Sequence, residues 1–139
     1  MEILTKSFLI STKGFNQILD ITANVQEILT ESKLLEGNVL VFVAGATAGI
    51  TTMEFEPGLL KDYPEFMERI IPSVKNYYHD EAWHDGNGHS HVRASLQGAS
   101  FLIPFIDGKL LLGVWQQIVL IDFDNRSRSR KVITQIMGK

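Results

Sequence analysis

The alternation of apolar and polar positions divides the chain into short strands and helices. Ile3 to Ile10 reads as an opening strand, and Gly14 marks a turn before the segment Phe15 to Asp20. Ile21, Val25, Ile28 and Leu29 then recur at helical spacing, with Asp20 or Thr22 placed to cap that helix and Gly37-Asn38 to end it and its tail. Val39 to Val43 is an unbroken apolar run, which predicts a strand buried on both faces. A small-residue turn, Ala44 to Gly49, leads into a strand over Ile50 to Phe55. Pro57 opens a second helix whose apolar face is Leu59, Tyr63, Phe66, Met67, Ile70 and Ile71, and Pro64 predicts a break or kink near Tyr63. After a polar loop, His91 to Leu96 reads as a short helix stopped by Gly98. Ser100 to Ile106 is a strand, and Asp107-Gly108 predicts a type I′ hairpin turn. Lys109 to Phe123 reads as one long strand with Gly113 as a bulge or close approach, and Lys131 to Met137 closes the chain as a strand.

The resulting order is β-β-α-β-β-α-α-β-β-β. It predicts an α+β fold in a single domain over residues 1–139: a mixed, mostly antiparallel sheet with two to three helices. The regular strand–helix alternation of a doubly wound fold is missing. A long edge such as 109–123 needs cover, and association of subunits is one way to provide it.

Composition narrows the function classes. At 139 residues the chain can bury a core without covalent staples. Its formal net charge of -3 argues against a nucleic-acid partner, which needs a dominant positive field. There is no cysteine, hence no disulfide and no thiolate nucleophile or ligand. The charged opening Met1 to Lys6 is unlike a secretion signal, and no apolar run is long enough to span a bilayer. A cytoplasmic domain with no membrane partner is the expectation.

Candidate chemistry gathers in one stretch. All 4 histidines, His79, His84, His89 and His91, lie within it, beside Asp80, Glu81 and Asp85. Histidine moves protons near neutral pH and is the commonest metal ligand. On an extended segment His89 and His91 would point the same way, and with His79 or Asp80 they would hold a divalent ion, Mg or Zn. The competing reading is acid/base or substrate-binding work by His79 and His91, and the bland one is a solvated polar loop. No organic cofactor is evident.

Other features stand further off in the sequence. The turn Gly45 to Thr52, with Thr47 and Thr51, leaves backbone amides bare for an anion, unless it is simply packed against a neighbouring segment. Glu54 is a candidate base or ligand, although a strand-end glutamate is more often solvated. Arg126, Arg128 and Arg130 share a face if extended and suit phosphate oxygens; the alternative is a solvated run balancing Asp122 and Asp124. Trp115 and Gln116 offer a stacking surface and a hydrogen bond, against the ordinary reading of a core tryptophan.

The segment Ser100-Phe-Leu-Ile-Pro-Phe-Ile-Asp-Gly108, followed after four residues by Gly113-Val-Trp-Gln-Gln-Ile118, resembles the signature of the YjbQ-like family, also called the secondary thiamine-phosphate synthase family. The likeness extends from about Gly14 to Ile136, through Thr47 to Thr51, Glu54, Tyr78-His79-Asp80, and Ser90-His91-Val92 to Gly98. It implies Glu54, His79, Asp80, His91, Trp115 and Gln116 as family-type positions, with Arg128 and Arg130 beside them. It further implies a homotrimer with its pocket close to a subunit boundary. The implied activity joins a pyrimidine diphosphate to a thiazole phosphate with release of pyrophosphate, so the implied ligand is a small phosphorylated molecule. The alternative is a non-catalytic trimer that binds a ligand or stores metal. The family usually carries a histidine just before the small-residue turn, where this chain has Gly45, and has Thr where this chain has Val114. On this reading Glu54, His79 and His91 come together in the assembly as the catalytic groups of one polar cavity.

Overall fold

The computed structural model describes residues 1–139 as twelve elements. They are β1 (Glu2–Thr12), β2 (Gln17–Asp20), α1 (Thr22–Ser32), β3 (Glu36–Val43), β4 (Ala48–Met53) and α2 (Pro57–Ile70). Then come α3 (Tyr78–Trp83), α4 (Gly88–Gln97), β5 (Ser100–Ile106), β6 (Lys109–Leu110), β7 (Gln117–Asp122) and β8 (Arg128–Gly138). The fold is α+β, as expected, but with two sheets and four helices. A five-stranded sheet has the order β1-β8-β3-β5-β6, a three-stranded sheet has the order β2-β7-β4, and every pairing is antiparallel.

The sheets enclose the larger core. Val39, Val41 and Val43 of β3, Ile103 and Phe105 of β5, and Val132 and Ile136 of β8 meet Ile50 of β4, Ile118 and Leu120 of β7, and Val25 and Leu29 of α1. The other face of the small sheet makes a second core, in which Val119, Ile121 and Phe123 pack with Met67 and Ile71 of the α2 segment and Ala94 of α4. Strand β7 is therefore covered on both faces. The sequence suggested that position for β3 instead, yet Leu40 and Phe42 point away from the core and β3 is buried on one face only.

The expected strand 109–123 is two strands in two sheets. β6 finishes the hairpin on β5, where Asp107 (φ 51°) and Gly108 (φ 70°) supply the two positive φ angles of the turn. A turn at Gly113–Gln116 then carries the chain across to β7. Helix α1 ends at Ser32 with Lys33 left-handed (φ 61°), so Gly37 belongs to β3 and does not stop the helix. Asp20 Oδ1 accepts the Thr22 N–H at 3.0 Å, although the residue in the N-cap position is Ile21. Helix α2 runs through Pro64 without a break, with Glu56 capping its N-terminus by accepting from the Gly58 and Leu59 N–H groups. No helix is long and apolar enough to cross a membrane.

Candidate functional site

Strand alternation assembles a polar cluster where the two sheets end. On β7, Ile118 and Leu120 face the inter-sheet core, and the same face continues to Asp122 and then Asp124. On β8 the inward set is Arg130, Val132, Thr134 and Ile136, with Arg128 at the strand start opposite Thr12. Both carboxylates have 0% exposure, so they have exchanged water for protein partners. Arg130 grips Asp122 with both oxygens engaged, Nε to Oδ2 at 2.7 Å and Nη2 to Oδ1 at 2.9 Å. Nη2 also donates to Thr47 Oγ1 at 2.7 Å, and that hydroxyl donates to Asp124 Oδ2 at 2.9 Å. Arg128 Nε donates to the same oxygen at 2.9 Å. Thr12 Oγ1 donates to Asp122, and the Asn125 N–H donates to Asp124 at 2.8 Å. Burial pushes the Asp124 carboxyl up, but hydrogen bonds from Thr47, Asn125 and Arg128 outweigh it and hold the group below the usual carboxylate range. Two anions and two cations balance here: Arg130 is buried and Arg128 half-buried, and both are paired with Asp122 and Asp124 instead of being solvated. Arg126 lies in the turn before β8 and takes no part.

The histidines border this cluster. His79 of α3 and His91 of α4 stack with ring centroids 4.1 Å apart and planes tilted by 45°. His79 Nε2 lies 3.6 Å from Asp85 Oδ1. The Asn87 amide lies between His79 and the carboxylates: in one orientation its NH2 donates to Asp124 Oδ1 at 3.3 Å, and turned over it donates instead to Asp85 Oδ1 at 2.9 Å and His79 Nε2 at 3.2 Å. Asp80 Oδ1 accepts the Gly88 N–H at 2.9 Å and so ties α3 to the start of α4. Burial, reinforced by the neighbouring His79, keeps the His91 imidazole below its ordinary pKa.

His89 does not join this pair. Residues 88–97 are helical, so side chains two apart lie about 200° apart around the axis instead of side by side. His91 meets His79, while His89 turns inward with its ring centroid 6.3 Å from that of Tyr77 and its Nδ1 without a partner. Burial lowers the His89 pKa too. The expected metal set His79, His89 and His91 is thus divided between two sides of a helix. No three histidine or carboxylate side chains of one chain converge as a ligand group. His84 caps the C-terminus of α3 in a left-handed conformation (φ 58°).

The small-residue turn behaves as its composition suggests. The N–H groups of Gly45, Ala46 and Thr47 donate to no acceptor within the chain, while the Thr47 carbonyl accepts from Phe123. A Cβ at Gly45 would lie 2.8 Å from Arg130 Nη1, the guanidinium nitrogen not used on Asp122 or Thr47, so a side chain there requires that guanidinium arm to shift. Beside the turn is an open cavity of about 320 Å³. Its walls are almost without side chains: Gly45, Ala46 and Ala48 on one side, Ala94, Ser95 and Gly98 on the other, with His91 at its edge.

The remaining candidates sit elsewhere on the small sheet. In the β4–β7 register Ala48 pairs with Asp122 at one end and Met53 with Gln117 at the other. Glu54 is therefore about 20 Å from Ala48, six residues along an extended strand. Thr51 is half-buried part-way along β4. Gln116 Nε2 donates to Thr52 Oγ1 at 2.9 Å and its Oε1 accepts the Gly113 N–H at 3.0 Å. These bonds pin a turn whose tip, Val114 and Trp115, is 84% and 71% exposed, so Trp115 is not a core residue. One chain brings together Thr47, His79, Asp80, His91, Arg128 and Arg130, and leaves Glu54, Trp115 and Gln116 at the opposite end. Asn87 was not singled out from the sequence, and Asp122 and Asp124 entered only as counter-charges. Two acids embedded in Ile121-Asp122-Phe123-Asp124, next to a fully apolar run, were the available signal.

Comparison with known proteins places this architecture. The family model of the UPF0047 YjbQ-like proteins matches residues 6–139. A UPF0047 protein of Archaeoglobus fulgidus is 40% identical over 121 residues, 87% of this chain and 91% of that one. The UPF0047 protein YugU of Bacillus subtilis is 31% identical over 137 residues, 97% of this chain and all of the relative. Among solved structures, a hypothetical protein of Aeropyrum pernix K1 superimposes with a TM-score of 0.91 at 33% identity over the whole of both chains. A YbjQ-like protein of unknown function from Sulfolobus solfataricus P2 gives 0.89 at 29% identity, covering 99% of this chain and 100% of that one. With nearly its full length matched by the family model and by relatives of this identity, the chain belongs to the UPF0047 YjbQ-like family.

Proposed function

We propose that the cavity beside the Gly45–Thr47 turn binds the phosphate of a small phosphorylated heterocycle, and that the site carries out thiamine-phosphate-synthase-type transfer. The observation that carries this reading is the set of unpaired donors around the turn: the bare amides of residues 45–47, of which Gly45 and Ala46 line the cavity, His91 at its edge, and Arg130 Nη1 behind Gly45. Successive free amides and a guanidinium are what a phosphate dianion requires. In the reaction the bond from the pyrimidine methylene carbon to the diphosphate oxygen breaks, with the electron pair leaving on diphosphate. The thiazole nitrogen bonds to that carbon. The charge that builds on the leaving group is met by the amides and Arg130, fixed in place beforehand by Asp122 and Thr47. His91, kept below its ordinary pKa by burial and by His79, offers a ring N–H as a hydrogen-bond donor to the departing diphosphate, while the thiazole nitrogen bonds through its lone pair and loses no proton.

A divalent ion, Mg or Zn, belongs to the same proposal. His79 and Asp85, 3.6 Å apart, offer one nitrogen and one carboxylate, with His91 stacked on His79; no three groups converge, so phosphate oxygens and water would supply most of the shell. Such an ion supplies further charge neutralisation to diphosphate. A homotrimer is proposed as the working form; exposed apolar side chains on the outer face of the large sheet, Phe42, Leu102 and Ile106 among them, support self-association.

The test is direct. Purified protein is titrated with thiazole phosphate and with pyrophosphate by calorimetry, with and without Mg²⁺, and the two halves together are assayed for thiamine phosphate. Binding that vanishes in Arg130→Met and product formation support the reading. No binding of either phosphate by a folded protein ends it. A second reading, a non-catalytic binding trimer, is favoured by Gly45, one of the two positions that depart from the resemblance. It expects phosphate binding without product, and product only after Gly45→His.

A further inference from the structure

We infer that Arg93 is a positioning residue: its guanidinium latches the root of a movable arm, residues 72–86, and so holds His79 against His91. Its importance for a ligand rests on reading His79 and His91 as part of the phosphate site; the latch itself is independent of that reading.

The arm has no hydrophobic anchor. None of its residues is buried, and Val74, Tyr78 and Trp83 are 92%, 88% and 73% exposed. The elements on either side are anchored, because Met67 and Ile71 before it and Ala94 after it belong to the second core. The chain therefore leaves the body after Ile71 and rejoins it at Asn87, with Gly86 left-handed (φ 66°) at the return. Segments with few buried apolar contacts open locally at low free energy. His79 rides on α3 within the arm, so its stacking on His91 at 4.1 Å depends on how the arm is held.

Polar contacts hold it, and Arg93 is their hub. Arg93 lies on α4 two residues beyond His91, about 200° around the axis, so the helix presents the histidine on one side and the guanidinium on the other. The side chain is 1% exposed. Nε and Nη2 both donate to the carbonyl of Ile71, the last residue before the arm, at 3.0 and 2.6 Å. Nη1 donates to Asn16 Oδ1 at 2.9 Å, which fixes the guanidinium to the turn before β2. Nη2 also donates to Glu68 Oε2 at 2.7 Å, and Glu68 Oε1 accepts the N–H and the hydroxyl of Ser73, each at 2.9 Å. One side chain thus joins α4, the frame of the small sheet and the first residues of the arm. At the far end the Asp85 carbonyl accepts from Asn125 Nδ2 at 2.8 Å. Stability alone does not call for a buried arginine, since well-packed apolar groups of similar size often serve as well as a buried ion pair. Directed hydrogen bonds to a single carbonyl are what an apolar side chain cannot provide.

The chain holds 4 histidines, so a histidine-labelled sample gives a simple NMR spectrum. In the full-length protein a cross-peak between the ring protons of His79 and His91 is expected, assigned by its loss in His79→Gln. Arg93→Met should abolish it and speed amide exchange in α3 by about tenfold or more, with the amides of β7 unchanged. Arg93→Lys, which keeps a charged donor for Ile71 and Glu68, should restore part of both. A persisting cross-peak in Arg93→Met, or exchange that rises equally in α3 and β7, overturns the inference, because the arginine then only stabilises the fold. If Arg93→Met does not fold, Glu68→Ala carries the test: Glu68 is half-exposed and lies outside both cores, so faster exchange in α3 alone is expected and unchanged exchange there overturns the latch. Calorimetry with pyrophosphate separates the two readings. An arm released with no loss of pyrophosphate binding counts against the functional reading and leaves the latch standing, whereas an unmoved arm removes the latch whatever the protein binds.

Discussion

Replacing Asp122 by Asn should be among the most damaging single-atom changes available to this fold. The carboxylate has 0% exposure and takes both arms of Arg130, at 2.7 and 2.9 Å, plus the Thr12 hydroxyl and the Asp124 N–H. Asparagine keeps the shape and one acceptor but removes the charge, which leaves a buried guanidinium without its counter-ion. Breaking a buried pair from one side costs about 3–5 kcal/mol, far more than the 0–1 kcal/mol of an exposed pair. For a domain of this length each kcal/mol lowers Tm by about 3–5 °C, so the fall should be about 10–25 °C. Urea unfolding followed by circular dichroism gives the free energy, and a thermal scan gives Tm. The double change Asp122→Leu with Arg130→Met removes both charges together and should be less destabilised than Asp122→Asn alone. A loss below about 1 kcal/mol in the single variant would mean the pair is effectively solvated, and the account of a buried balanced cluster would be wrong.

Other outcomes follow from the same structure. Gly45→Ala should cost about 1–3 kcal/mol in urea unfolding, because its Cβ lands on Arg130 Nη1 while the backbone itself is unstrained; unchanged stability would show that Arg130 moves freely. His89 and His91 both have pKa values lowered from 6.5, so each contributes stability that is complete above about that pH and lost as pH falls through its folded value. Unfolding free energies between pH 7.5 and 5 should therefore decline with acid, less steeply in His91→Gln, and a flat profile would contradict both assignments. Glu56→Ala, which removes the cap from the Gly58 and Leu59 N–H groups, should cost about 1 kcal/mol, read from the urea midpoint.

The sequence was most legible where one residue decides the backbone. Asp107-Gly108 demanded two positive φ angles and has them, Pro57 opens α2, and Gly98 stops α4. It was least legible where neighbouring elements have the same apolar texture. Leu110 to Leu112 and Ile118 to Phe123 read as one strand because nothing local says that the chain changes sheets at Gly113. Val39 to Val43 is apolar throughout, yet which strand is covered on both faces depends on where α2 and α4 settle, and that choice fell to β7. The histidine pair was misread through its period: His89 and His91 align on a strand and diverge on a helix, and α4 begins three residues earlier than expected. The arginine alternation was sound for Arg128 and Arg130, since β8 is extended there. The tie from the histidine segment to the buried carboxylates is tertiary, made by Asn87 to Asp124 across 37 residues, and no local pattern encodes it.

Strand β7 carries aliphatic side chains toward both of its neighbouring layers and finishes in two acids. Sliding it by a single position against β4 would drive Asp122 into the layer beneath the helices and turn Ile121 toward the arginines. Misthreaded versions of the small sheet thus carry a heavy electrostatic penalty from their first moment, so the salt cluster acts as a proofreading device for strand alignment as well as a fixture of the pocket.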